Sequence, residues 1–136
     1  TNYGFDRFEK ITNDILKKTI SEIISTVSKG EAAYLHCYAG ADRTGYICLL
    51  VEALIGVTQN YCDTDYEITS FTGNVTGTRF RVDDTYGGGM YKSGIKYIAD
   101  YSGTSLHDKV YNFVTSASGL NISKTDVDKF ISRMKE

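Results

Sequence analysis

The sequence predicts an α/β chain in which one short strand is followed almost entirely by helices. Three observations carry this. Most segments repeat their apolar residues at steps of three and four. One stretch, "AAYLH" at 32–36, is short and mostly apolar. A glycine-containing loop joins that stretch to a run that is apolar on nearly all sides. A chain of 136 residues with 41% apolar content is enough for a single core.

Taken in order, residues 1–8 are polar and mixed, and read as a loop. From Glu9 to Lys29 the residues Ile11, Ile15, Leu16, Ile20, Ile23, Ile24 and Val27 form one stripe of an amphipathic helix. Lys29 followed by Gly30 marks its end, since glycine tolerates a left-handed cap. "AAYLH" then reads as a central strand, because few of its residues are polar. After the loop "CYAGADRTG", residues 44–55 form a helix with so little polar surface that it must pack inside the domain.

Thr58 is placed to cap a helix over residues 59–71, and the glycine-rich stretch 72–89 reads as irregular. A helix follows with Met90, Ile95 and Ile98 inward. Thr104 is placed to cap the next, which buries Leu106, Val110, Phe113 and Val114 and ends by Gly119. Ser123 with Asp126 resembles a capping box opening a last helix, with Val127, Phe130, Ile131 and Met134 on its apolar side.

Bulk properties exclude several classes. A net charge of −2, with no basic stripe, argues against a nucleic-acid surface. No apolar run is long enough to span a bilayer. The three cysteines, Cys37, Cys48 and Cys62, are an odd number without C-x-x-C spacing, which fits neither a disulfide framework nor a structural zinc site. Cys48 and Cys62 read as packing residues, and His107 as a surface residue. Arg79 and Arg81 are candidates for a substrate entrance.

The chemistry concentrates in "LHCYAGADRTGY", residues 35–46. Backbone amides of a glycine-bearing loop that feeds a helix N-terminus bind anions, helped by the helix dipole. The planar fork of Arg43 can grip two phosphate oxygens at once. The same positive surroundings favour the thiolate of Cys37. Thiolate, arginine and amide cradle form one electrostatic unit. The plainer alternative is a buried cysteine before a helix with an arginine at the surface.

"HCYAGADRTG", residues 36–45, resembles the H-C-x-x-G-x-x-R-[ST] signature of cysteine-dependent protein tyrosine phosphatases, and in particular the bacterial branch reading H-C-x-A-G-K-D-R-T-G. "DYEITSF", residues 65–71, is similar to the segment after the buried helix in that branch. The resemblance implies that Cys37 is a nucleophile forming a phosphocysteine intermediate, and that Arg43 binds phosphate and the transition state. It implies that His36 helps set the thiolate pKa and that Thr44 bonds the sulfur and eases its departure. Tyr38, Ala39, Gly40, Ala41, Asp42 and Arg43 would form the phosphate cradle. No cofactor or metal is implied.

Ala41 stands where the branch often has lysine, a residue associated with highly charged substrates, so the expected substrate is a phosphotyrosine protein. Inositol phosphates or phosphoinositides are the alternative, and a non-catalytic phosphate-binding module is the alternative from another class. The general acid is expected at Asp42, within the signature, or at Asp6, which lies 31 positions before Cys37. The compartment stays open, with the cytoplasm ahead of export.

The nucleophile of this family usually lies well past the middle of its domain, whereas Cys37 comes early in a chain of 136 residues. The resemblance therefore implies one domain over residues 1–136 that is the C-terminal, mostly helical portion of the phosphatase fold. In that portion the central strand leads into the phosphate loop and the buried helix. A lone central strand leaves backbone groups unpaired. A missing N-terminal segment of the same domain, or self-association, is expected to supply its edge.

Overall fold

A computed structural model describes residues 13–72, 79–80 and 88–136. Among them the chain forms six α-helices: α1 (Asn13–Ser28), α2 (Asp42–Leu54), α3 (Gln59–Ile68), α4 (Gly88–Ala99), α5 (Leu106–Thr115) and α6 (Lys124–Met134). A 3-10 turn, Thr69–Phe71, continues α3.

Helix α2 is the centre of the packing. It buries Tyr46, Ile47, Leu49, Leu50, Ala53 and Leu54, and none of its residues is exposed. A helix with no polar face has to be covered on several sides, and α3, α4 and α5 all pack against it. Helix α1 packs instead on α6, and its Leu16, Ile20 and Ile24 are buried as the stripe requires. It stops at Gly30, whose φ is +81° and whose amide closes on the Val27 carbonyl at 2.9 Å. The part of this helix expected before Asn13 lies outside the described residues.

Several expectations need correction. The strand read at "AAYLH" is not formed, and the described residues contain no strand at all. Residues 31–37 have no regular structure, Ala32 and Ala33 are exposed, and Tyr34 is 90% exposed. A strand draws its burial and ladder hydrogen bonds from neighbours, and no described segment lies alongside to provide them. The described portion of the predicted α/β chain is helical.

The cap of α5 is Ser105, not Thr104. Its hydroxyl accepts from the Asp108 amide while the Asp108 carboxylate accepts from the Ser105 amide, a reciprocal box. Ser123 does begin α6, but without a side-chain cap bond. Met134, the last residue of α6, is 41% exposed, while Val127 and Phe130 are buried. His107 is half-buried, with Nδ1 3.0 Å from the Ala53 carbonyl oxygen at the end of α2. Arg81 and most of the glycine-rich stretch lie outside the described residues.

This packing makes a direct prediction. Leu50, wholly enclosed in α2, costs about 2–5 kcal/mol when changed to alanine, whereas Met134→Ala stays within about 0.5 kcal/mol. Urea denaturation checks both, and equal shifts in midpoint would contradict α2 as the core helix.

Candidate active site

The loop between residue 37 and α2 holds the sequence-predicted residues together. Gly40 has φ +70°, a left-handed conformation that turns the chain before the helix and that other residues rarely adopt. Ala41 follows at the N-cap position and is buried, so its side chain faces the core. Asp42, Arg43 and Thr44 form the first turn of α2, where backbone N–H groups have no partner within the helix. The Gly45 amide reaches back to the Ala41 carbonyl at 2.6 Å and closes that turn. Tyr38 projects into solvent, 96% exposed.

Cys37 is the point on which this loop closes. Burial of the half-exposed sulfur pushes its pKa up, but the Thr44 hydroxyl, the Thr44 amide and the amides of Ala39 and Gly40 push it down, and the balance lies below the ordinary thiol value. The Thr44 hydroxyl is buried and makes no hydrogen bond among the described residues, yet it lies close enough to the sulfur to favour the thiolate. The other two cysteines behave oppositely. Burial, with Glu52 and Asp65 nearby, raises Cys48, and burial together with Glu52 pushes Cys62 up to about 12. Of three thiols, only the one in the loop is biased toward the thiolate.

Arg43 and Thr44 line the same open cleft as Cys37, with a volume of about 780 Å³. Its α1 wall mixes aliphatic Leu16 and Ile23 with charged Lys18 and Glu22. His36 is exposed, with Nδ1 3.4 Å from the Cys37 carbonyl oxygen, and its ring lies 5.5 Å from that of Tyr34.

The most heavily bonded side chain at the site is Asp42. Arg79 grips its carboxylate with both arms of the guanidinium, Nε to Oδ1 at 3.0 Å and Nη2 to Oδ2 at 2.9 Å. The Tyr66 hydroxyl donates to Oδ1 at 2.7 Å. Burial raises the Asp42 pKa, but the bonds from Arg79 and Tyr66 and the charges of Arg79 and Arg43 outweigh it, so the carboxyl is held below its usual range. Its partners shift in the complementary sense: Asp42 raises the pKa of Arg79, and burial followed by Asp42 raises that of Tyr66.

These partners are held in turn. Arg79 is only 6% exposed, and its backbone amide donates to Ser70 Oγ at 2.7 Å. The Tyr66 ring stacks on Tyr91 at 4.1 Å between centroids and packs against Gly45, where a Cβ would lie 2.6 Å from the ring. Tyr91 donates to Asp63 Oδ1 at 3.1 Å.

The structure thus brings Cys37, Arg43, Thr44 and Asp42 to one helix end, with His36 beside them. Asp6 lies outside the described residues. Sequence reasoning gives Arg79 a place at the entrance and Tyr66 no role, yet both bind the loop. The available signal is Asp42 itself, because a carboxylate set inside an anion-binding loop needs a cation close by.

Among the described residues no helix is long and apolar enough to cross a membrane. A curated relative, the triple specificity protein phosphatase PtpB of Mycobacterium tuberculosis, is 27% identical over 67 residues, which is 48% of this chain and 24% of that protein. The chain therefore spans about a quarter of the length of the relative it matches. No solved structure matches the chain. The family profile described as "Tyrosine phosphatase family" matches residues 3–107, well over half of the sequence and all of the loop just described. The chain belongs to the tyrosine phosphatase family of cysteine-dependent phosphatases.

Proposed function

We propose that this chain carries the phosphate-cleaving site of a protein tyrosine phosphatase that works through a phosphocysteine intermediate. The observation that carries the proposal is the placement of Cys37, Arg43 and Thr44 on one cleft at the mouth of α2, where Thr44 and the loop amides also favour the thiolate. In the first step the thiolate forms a bond to phosphorus as the ester P–O bond breaks. A carboxylic acid gives its proton to the leaving oxygen. In the second, water attacks phosphorus and gives a proton to that carboxylate, the S–P bond breaks, and phosphate leaves. Arg43 and the loop amides stabilise the charge on the equatorial oxygens, and the Thr44 hydroxyl stabilises the departing sulfur.

Two aspartates are candidates for the proton donor. The bonds from Arg79 and Tyr66 favour ionised Asp42 at rest, and this supports Asp6 as the donor. Asp42→Asn and Asp6→Asn discriminate: the substitution that removes the donor slows aryl phosphates with poor leaving groups most and flattens the alkaline limb of the pH–rate profile.

The proposed substrate is a phosphotyrosine protein. Ala41, buried and uncharged, supports it by leaving the loop without the extra cation that highly charged inositol phosphates would use. The name of the relative PtpB, a triple specificity protein phosphatase, supports testing more than one class of phosphoester alongside. We also propose that residues 1–136 form the C-terminal portion of one domain. Residues 31–37 enter the loop with no strand beside them among the described residues, which supports completion by an N-terminal segment of the same protein or by a second copy.

Two outcomes are expected. Cys37→Ser loses at least about 10³-fold in turnover of an aryl phosphate. If the native protein binds vanadate yet turns over no aryl phosphate, the site is a phosphate-binding module instead. The lowered pKa of Cys37 also has a fixed sign: the thiolate persists below the ordinary thiol value of 9.0, while the stability it contributes is full above that value and is lost progressively as pH falls from it through the lower folded value. Iodoacetamide alkylation followed against pH should therefore have its midpoint below 9.0, and Thr44→Ala should move it upward. A native midpoint at or above that value contradicts an activated thiolate.

A further inference from the structure

We propose that Arg79 is a positioning residue of the phosphate loop: its bidentate grip on Asp42 cancels the negative charge the loop itself carries and so keeps the site open to anions. The proposal rests on the reading of residues 37–44 as a phosphate site, and it assigns Arg79 to the loop rather than to the substrate.

The problem Arg79 solves follows from the sequence. Asp42 sits at the first position of α2, inside the segment whose amides and Arg43 are to receive a phosphate dianion. A free carboxylate there would repel the incoming dianion and disfavour the Cys37 thiolate. Protonation would remove its charge, but the polar contacts of the carboxylate favour the ionised form: the two bonds from Arg79 at 3.0 and 2.9 Å and the bond from Tyr66 at 2.7 Å. The charged or titratable groups facing Asp42 are Arg79, Tyr66 and its helix neighbour Arg43.

Two features separate this ion pair from an ordinary surface one. Arg79 is 6% exposed and Asp42 27%, so solvent screens the pair only in part. Its position is also set from behind, since its backbone amide is bonded to Ser70 in the 3-10 turn. Tyr66 fixes Asp42 from the α3 side and is itself held between Tyr91 and Gly45. The carboxylate therefore has one orientation, and its backbone, which begins α2, is held with it.

The test uses the full chain and its single and double variants Arg79→Met, Arg79→Lys, Asp42→Asn and Arg79→Met/Asp42→Asn. Orthovanadate affinity and the alkylation midpoint of Cys37 are measured for each. Arg79→Met should weaken vanadate binding by about tenfold or more and raise the thiol midpoint, because it leaves Asp42 uncompensated. Arg79→Lys, which keeps the charge and loses the fork, should fall between. The double variant should recover to within about threefold of the native affinity, because a neutral asparagine in place of Asp42 no longer needs a cation. A scaffold role alone predicts no such recovery, and additive losses in the double variant overturn the proposal. So does native-like vanadate affinity in Arg79→Met. Failure of the native protein to bind vanadate, with an ordinary thiol midpoint, removes the phosphate-site reading and this proposal together, which distinguishes that failure from the other two.

Discussion

Two groups that carry negative charge, the Cys37 thiolate and the Asp42 carboxylate, lie within six residues of each other at the start of α2. Both must be neutralised there before a phosphate can approach. The chain gives them separate partners. The sulfur takes the Thr44 hydroxyl and the amides of Ala39, Gly40 and Thr44. The carboxylate takes Arg79 and Tyr66. Most of the described structure follows from holding those partners in place.

The buried character of α2 follows directly. On the proposed reading the N-terminus of α2 carries the anion site and has to be held in place, and α3, α4 and α5 pack around that helix. The same neighbours deliver the partners. Tyr66 comes from α3, Tyr91 behind it from α4, and Arg79 from the segment tied to the end of α3 through Ser70. Even the contact of Gly45 with the Tyr66 ring fits this pattern, since any larger side chain would push the tyrosine away from Asp42. The core and the site are therefore one structure seen from two sides. The side facing α1 differs: there the cleft beside Cys37 is open and lined by both aliphatic and charged side chains, next to the irregular residues 31–37.

How much of this is legible in the sequence follows from the range of each interaction. Helix periodicity is local, so α2, α5 and the stripe of α1 are readable, as is the loop, whose chemistry lies within consecutive residues. The strand at "AAYLH" rests on composition alone, but a strand exists only through neighbours, and the described residues offer none. Thr104 and Ser105 are both competent caps; the choice falls to the one whose spacing to Asp108 closes the reciprocal box. Arg79 and Asp42 are 37 residues apart, beyond any local pattern, and their pairing emerges only when α3 folds back along α2. His107 reaches the Ala53 carbonyl across 54 residues and is invisible for the same reason.

The central claim is that Cys37 becomes covalently bonded to phosphorus during turnover. Rapid acid quenching of the protein during hydrolysis of an aryl phosphate, followed by peptide mass spectrometry, tests it most directly. The account predicts one phosphoryl group on the peptide containing Cys37, accumulating further where the second step is slowed by Thr44→Ala. Steady turnover with no phosphoryl group on that peptide would contradict it.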